Sequence, residues 1–387
     1  MRKICVVTGT RSEYGLLSRL IKLIDESDRT QLQLIATNMH LSHAYGDTWR
    51  EIEADGFSID WKIPILEDGA NDAVATLKSL SKAVSGFADA FQALRSDLVL
   101  ILGDRYEMLA VAEVALIERI PIAHISGGAV SEGAFDDAIR HSITKMSSLH
   151  FTETDVYSRR VIQLGEQPER VFNVGALGVE NIVKMALLSK AETEASIGFG
   201  IDDHTILVTY HPVTLGDESS LHDIEEFLSA LQERQEIRII FTMPNSDTGS
   251  AAITEAIDAF VRSHSERAIA FKSLGVKRYL SVMKYVAAVV GNSSSGIVEA
   301  PSFGVPTLDI GDRQKGRMSA ASVWHCTADA AAVAAGLNKV LSPVFRALCK
   351  TVHNPYEQDN TAQKIFDVIS TFPLEGLIRK PFYDLNL

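Results

Sequence analysis

The sequence predicts an α/β protein built from two doubly wound domains facing a cleft. Three observations carry that prediction. Short apolar strands alternate with amphipathic helices almost throughout. Several of the strands are apolar at every position, as strands covered on both faces of a parallel sheet are. The alternation also stops midway and restarts, in a chain of 387 residues that exceeds one ordinary core.

In the first half the strands are "KICVVTG" (3–9), "LQLIATN" (32–38), "LVLILGD" (98–104), "IPIAHIS" (120–126) and "LHFTET" (149–154). Between them, "EYGLLSRLIKLIDES" and "RYEMLAVAEVALIER" repeat apolar residues at helical spacing. The second series is "TILVTYHP" (205–212), "IRIIFTMP" (237–244), "AAVVGNS" (287–293) and "VPTLDIG" (305–311). A glycine turn, a helix and a polar loop separate the two, which places a hinge near 174–190. The domains are then 1–178 and 179–365. A last segment, 366–387, is expected to pack back on the first domain from the end of the helix-like stretch "TAQKIFDVISTF".

Composition narrows the partners. A hydrophobic share of 46% with 22% charged residues describes a soluble globular protein. The net charge of −13 argues against nucleic acid or an anionic membrane, but allows a locally positive pocket for a small anion. "MRKICVVTGTR" enters a strand directly, without the apolar core of a signal peptide. No run reaches the ~20 apolar residues of a membrane span. Cys5, Cys326 and Cys349 are scattered and odd in number, which fits reduced thiols in a cytoplasm. With no CxxC, HExxH or GxGxxG, neither a zinc site nor a nicotinamide cofactor is expected.

The unusual polar residues cluster at strand ends, where ligands sit in such sheets. In "TGTRSEYG", Arg11 stands at a helix start, an unhelpful place for a cation unless it serves an anion. In "GDRYE", Asp104 and Glu107 fit a helix cap or acid/base chemistry equally well. "HISGGAVSEGAFDDAIRHSITK" concentrates Glu132, Asp136, Asp137, Arg140 and His141 after a glycine-rich loop. Asp136 is also suited to capping the helix that follows, and His124, within an apolar strand, reads as a satisfied core histidine. His211 of "VTYHPVT" is extended by the proline after it and faces the same edge.

"GNSSSGIVEAPSFGVP" is the densest of these. One serine would cap a helix; three between glycines leave a bare backbone for an anion at a helix start. If the helix begins near Ser293, its N–H groups with Ser294 and Ser295 cradle a diphosphate. Glu299, one turn beyond Ser295, is placed for a ribose diol. Arg313 and Arg317 of "DIGDRQKGR" follow the next strand, and either can close over the anion.

Together, "TGTRSEYG", "GDRYE", "FDDAIRHSITKMS", "HPVT", "DTGS" and "GNSSSGIVEAPSFGVPTLDIGDRQKGR" resemble the hydrolysing UDP-N-acetylglucosamine 2-epimerases of bacterial sialic and related nonulosonic acid synthesis, in order from residue 3 to about 320. The resemblance implies two Rossmann-like domains as in GT-B glycosyltransferases, no metal or other cofactor, and a homo-oligomer, dimer or tetramer. It implies loss of UDP to give a 2-acetamidoglucal, then hydration to N-acetylmannosamine. Asp104 and Asp136 then correspond to acid/base carboxylates, with Glu132 as a third candidate. Arg11 and His211 correspond to groups around the phosphates. Asn245, Ser293, Ser294, Ser295, Gly296, Glu299 and Arg313 complete the UDP-binding set.

One departure stands out. Many members carry a glutamate where this chain has Ser126, so that acid/base role does not transfer. Glu132, Asp136 or a serine-held water then covers the step, or the substrate is a UDP-2,4-diacetamido-2,4,6-trideoxy sugar leading to legionaminic acid. Two rival readings stay open from the residues alone. A retaining GT-B glycosyltransferase would use the same UDP seat, and a non-catalytic nucleotide-sugar sensor would not need the acids around 104–137.

Overall fold

The computed structural model describes residues 1–66, 72–132, 134–213, 219–244 and 249–385. It divides into two compact units: residues 1–129, 136–180 and 358–387 form the first, and 130–135 with 181–357 the second.

Among the described residues the first unit holds seven parallel strands: β1 (Arg2–Thr8), β2 (Thr30–Thr37), β3 (Trp61–Ile63), β4 (Leu98–Leu102), β5 (Ile122–Ile125), β6 (Leu149–Thr152) and β7 (Val171–Asn173). Their order is β3-β2-β1-β4-β5-β6-β7. Alternate residues of each inner strand feed opposite cores, because side chains alternate across a sheet. Ile4 and Val6 of β1 pack with Leu17, Leu20, Ile21 and Ile24 of the Arg11–Asp25 helix. Cys5 and Val7 pack on the other face with Phe87, Phe91 and Val111. The Arg11–Asp25 helix starts where Thr10 and Glu13 form a reciprocal capping box. The Tyr106–Ile117 helix is apolar on nearly all sides, which suits its position against the sheet and beside the Ala73–Leu94 and Asp136–Met146 helices.

The second unit repeats the design with β8 (Thr205–Thr209), β9 (Arg238–Thr242), β10 (Ala268–Phe271), β11 (Ala288–Gly291), β12 (Thr307–Ile310) and β13 (Val323–Cys326). Their order is β10-β9-β8-β11-β12-β13, again all parallel. All nine strands expected from the apolar runs are present, most of them shorter at the carboxyl end because the polar residues there leave the ladder. The four that the runs did not disclose, β3, β7, β10 and β13, are the sheet edges. They are three or four residues long and only partly buried, so no continuous apolar run marks them.

The carboxyl-terminal residues are built into the first unit. The Thr361–Thr371 helix packs on the Arg11–Asp25 helix through Ile365, Phe366 and Ile369. Thr361 Oγ1 donates to the Val174 carbonyl at 2.7 Å. Further on, Lys380 Nζ reaches Glu166 Oε2 at 2.7 Å, while Lys145 Nζ holds Oε1 at 2.5 Å and His150 Nε2 lies 3.0 Å from Oε2. Burial alone would raise the Glu166 carboxyl, but these partners outweigh it and bring it down to about 2. Burial pushes the His150 imidazole down, against the opposing effect of its bond to Glu166.

A carboxyl held below its ordinary 4.5 contributes stability above that value and loses it as pH falls toward 2. Thermal unfolding from pH 7 to pH 3 should therefore show the midpoint of the native protein falling below about pH 4.5. Glu166→Gln should melt lower at neutral pH and show a smaller fall through the acid range. A fall of equal size in both proteins would remove Glu166 from this account.

Candidate active site

In a doubly wound sheet the strand order reverses next to the first strand. Connections leave in opposite directions there, and a crevice opens beyond the carboxyl ends. In the first unit that point lies between β1 and β4, in the second between β8 and β11.

At the end of β1, Gly9 N–H donates to Glu13 Oε2 at 2.7 Å, and Arg11, the first helical residue, places Nε 2.7 Å from Glu51 Oε2. At the end of β4, Asp104 does not cap the next helix, whose cap position is Arg105. Instead the Asp104 carboxylate forms an ion pair with the Arg140 guanidinium. Arg140 is only 2% exposed, and it also holds Asp137 at 3.1 Å and the Ala129 carbonyl at 3.0 Å. A guanidinium can only donate, so this arrangement is satisfied by ionised carboxylates.

Glu107 likewise serves no capping box. It is fully buried, with Arg105 Nε 2.8 Å from its Oε1. Burial first, and the neighbouring Glu107 second, raise the Glu13 carboxyl against the opposing effect of Arg105. His124 is the core histidine expected: fully buried, with Nε2 2.8 Å from the Gly103 carbonyl, and pushed down to about 4 by desolvation. Asp136 is the first residue inside its helix rather than the cap before it.

The Glu132 segment belongs to the second unit, where the Glu132 N–H donates to the Lys315 carbonyl at 3.4 Å. Arg317 Nη2 lies 3.3 Å from Ser131 Oγ in the same unit.

Ser126 ends β5 at φ 69°, a left-handed conformation that costs a non-glycine residue roughly 1–2 kcal/mol. Its Oγ donates to Glu153 Oε1 at 2.8 Å. Glu153 lies just beyond β6, and local pattern gave no sign of it.

In the second unit, Ser293 caps the short Ser294–Val298 helix by accepting from Ser295 N–H, so one serine does the capping and the other two are additional. Ser295 Oγ is 2.5 Å from Tyr279 OH. Asn292 joins the two strands at the reversal: its Oδ1 accepts from His211 N–H at 2.7 Å and its Nδ2 donates to the His211 carbonyl at 2.8 Å. Its own carbonyl accepts from Gln314 Nε2 at 2.8 Å and Arg313 Nη1 at 3.3 Å. Arg313 Nε and Gln314 Oε1 are buried and find no partner among the described residues. Such atoms suit a site that receives a polar ligand. Glu299 follows the helix, half-buried. Gly296 leaves no room for a side chain, since a Cβ there would meet Thr307 Cγ2 at 2.7 Å. Asn245, and Asp247 and Thr248 of the DTGS motif, lie outside the described residues.

Sequence reasoning did not single out Glu153, Tyr279, Asn292 and Gln314, which the structure brings to the candidate site. Only Asn292 left a signal, because it opens the serine run; the others sit within ordinary strand-end or helical patterns.

Two Rossmann-like units with these strand-end clusters define a protein of the GT-B-like class. The overall fold matches that of UDP-GlcNAc 2-epimerase from Neisseria meningitidis, with a TM-score of 0.78 at 16% identity, over 95% of this chain and 99% of that one. The family model for UDP-N-acetylglucosamine 2-epimerase matches residues 22–370, and the chain belongs to that family. Among similar proteins, the GDP/UDP-N,N'-diacetylbacillosamine 2-epimerase (hydrolyzing) of Campylobacter jejuni is 45% identical over 82% of each chain. The polysialic acid biosynthesis protein P7 of Escherichia coli is 39% identical over 100% of this chain and 98% of its own.

Gly291 ends β11 at φ 128°, and a Cβ there would lie 2.1 Å from the Thr209 carbonyl oxygen. Gly291→Ala should therefore cost about 2–3 kcal/mol of stability in urea unfolding and weaken UDP binding in calorimetry, since both His211 and Ser293 are positioned by this junction. An unchanged midpoint would mean that the β8–β11 contact is looser than described.

Proposed function

We propose that the chain is a hydrolysing UDP-sugar 2-epimerase that converts UDP-N-acetylglucosamine and water to N-acetylmannosamine and UDP through a 2-acetamidoglucal, feeding nonulosonic acid synthesis in the cytoplasm. The observation that carries this reading is the 45% identity, over four-fifths of both chains, to a protein named as a hydrolysing 2-epimerase. That relative's name also favours a second reading, in which the sugar is UDP-N,N'-diacetylbacillosamine, a 2,4-diacetamido-trideoxy hexose.

The chemistry assigns the roles. The C2 proton is not alpha to a carbonyl, so C1–O cleavage must precede or accompany its removal. The electron pair of that bond leaves with the β-phosphate, and positive character at C1 acidifies C2–H. The departing diphosphate needs strong stabilisation. In the second unit Ser293, Ser294, Ser295, Gly296 and Arg313 with His211 serve it, and Glu299 takes the ribose. In the first unit Arg11 adds positive charge. Asp104, satisfied as a carboxylate by Arg140, takes the C2 proton, and Asp136 activates the water that adds at C1. Elimination and hydration are both redox-neutral, so no nicotinamide is required.

The test is incubation with each UDP sugar in deuterated buffer, followed by proton NMR. Released UDP with a free 2-epimer deuterated at C2 is the expected result. Unchanged UDP-GlcNAc with turnover of the diacetamido sugar would establish the second reading. Asp104→Asn should lower turnover by at least about 100-fold while UDP binding stays within threefold. Retained turnover would remove Asp104 as the base.

A further inference from the structure

We propose that Glu153, presented by Ser126, is the acid that delivers the proton to C2 in the hydration half of the reaction. The inference rests on the epimerase reading above and adds a residue to it.

Four observations converge. β4, β5 and β6 are parallel neighbours in register, with Leu102 paired to Ile125 and Ile125 to Phe151. Asp104, Ser126 and Glu153 follow these three strands at one edge of one sheet. Ser126 keeps a side chain at φ 69°, where glycine would sit without strain, so its hydroxyl is retained against a conformational cost. That hydroxyl is 2.8 Å from Glu153 Oε1.

The two carboxyl groups are held by different kinds of partner. Arg140 can only donate, and so matches Asp104 as an anion. A serine hydroxyl donates to a carboxylate or accepts from a carboxylic acid, and so matches Glu153 in both protonation states. A group that must hold a proton, release it to carbon and regain it each cycle needs that second kind of partner. Strands are spaced about 4.8 Å apart, so the main chains after β4 and β6 are about 10 Å apart. This leaves room for a sugar ring with one carboxyl on each face, as in enzymes that place carboxyls about 6.5–9.5 Å apart around a ring and a water.

The step balances. In the first half, Asp104 takes the C2 proton, UDP leaves with the C1–O electron pair and a C1=C2 double bond forms. In the second, the π electrons take a proton from Glu153 on the opposite face, and water oxygen bonds to C1. The water proton passes to Asp136; Asp104 and Asp136 then release their protons to solvent, and Glu153 regains one from it.

The experiment compares wild type, Glu153→Gln and Ser126→Gly in deuterated buffer, following UDP, the unsaturated sugar and the free 2-epimer separately by NMR. Glu153→Gln should still release UDP, accumulate 2-acetamidoglucal and form the 2-epimer at least about 100-fold more slowly. Ser126→Gly removes the hydroxyl and the strain together. It should melt no lower than wild type, keep UDP release within threefold and form the 2-epimer about tenfold more slowly with some glucal in solution. A merely structural role for the pair would not divide the two half-reactions in this way.

Glu153→Gln forming the 2-epimer within threefold of wild type overturns the inference. So does loss of UDP release along with hydration in a folded Glu153→Gln protein. If Glu153→Gln fails to fold, an unchanged product partition in Ser126→Gly overturns it instead. A wild type inert toward both UDP sugars overturns the epimerase reading, and this inference with it. An active wild type with unaffected variants overturns this inference alone.

Discussion

The reversal of strand order beside β1 and beside β8 is the constraint on which the rest depends. A parallel sheet must return its chain by crossover helices, and a right-handed crossover in each direction from one strand leaves a gap where the two directions part. Backbone groups at that gap lose their ladder partners and must be satisfied by side chains. In the second unit Asn292 meets this need, bonding both the N–H and the carbonyl of His211. In the first unit the capping box of Thr10 and Glu13 does the same for the start of the Arg11–Asp25 helix. Polar residues are needed there by the fold before any ligand is considered, and the chemistry is added to residues already present.

The acids illustrate how that addition is stabilised. A chain of net charge −13 that buries carboxylates must compensate them locally, because an isolated buried charge is far more costly than any stability margin. Arg140 compensates Asp104 and Asp137, Arg105 compensates Glu107, and Lys145 with Lys380 compensates Glu166. Arg140 is itself buried, so its pairs are fixed in geometry as well as in charge. A base with little freedom is the kind a reaction at a weakly acidic carbon requires.

The legibility of the sequence followed the same division. Inner strands were readable because burial on both faces demands an unbroken apolar run, as in "LVLIL" and "TILVT". Edge strands such as Val323–Cys326 were not, since half their surface faces away from the core and tolerates Trp324 and His325. Candidate-site residues within a strand-end motif, Asp104 and the serine run among them, stood out by position. The Asp104–Arg140 pairing spans 36 positions and the Tyr279–Ser295 contact spans 16, and no local spacing reveals which side chains such folding brings together. Glu107 shows the opposite failure: its spacing fits a cap, yet its carboxylate is fully buried and pairs with Arg105 instead.

Ser126 and Glu153 show why a carboxyl can be better carried one strand away from the turn that presents it. Position 126 is left-handed because the chain must leave β5 sharply for the two glycines that follow, and Gly128 packs its backbone tightly on the Tyr157 carbonyl. A side chain there bears the conformational cost and has little freedom to move. Glu153 has no left-handed backbone and precedes the Thr154 that caps the Asp155–Gln163 helix, so its carboxyl stands on an unstrained, well-anchored segment. The strained position then needs only a short hydroxyl, the smallest group that can hold an acid in either protonation state. Rigidity comes from the turn and proton-carrying capacity from the next strand, and neither residue has to provide both.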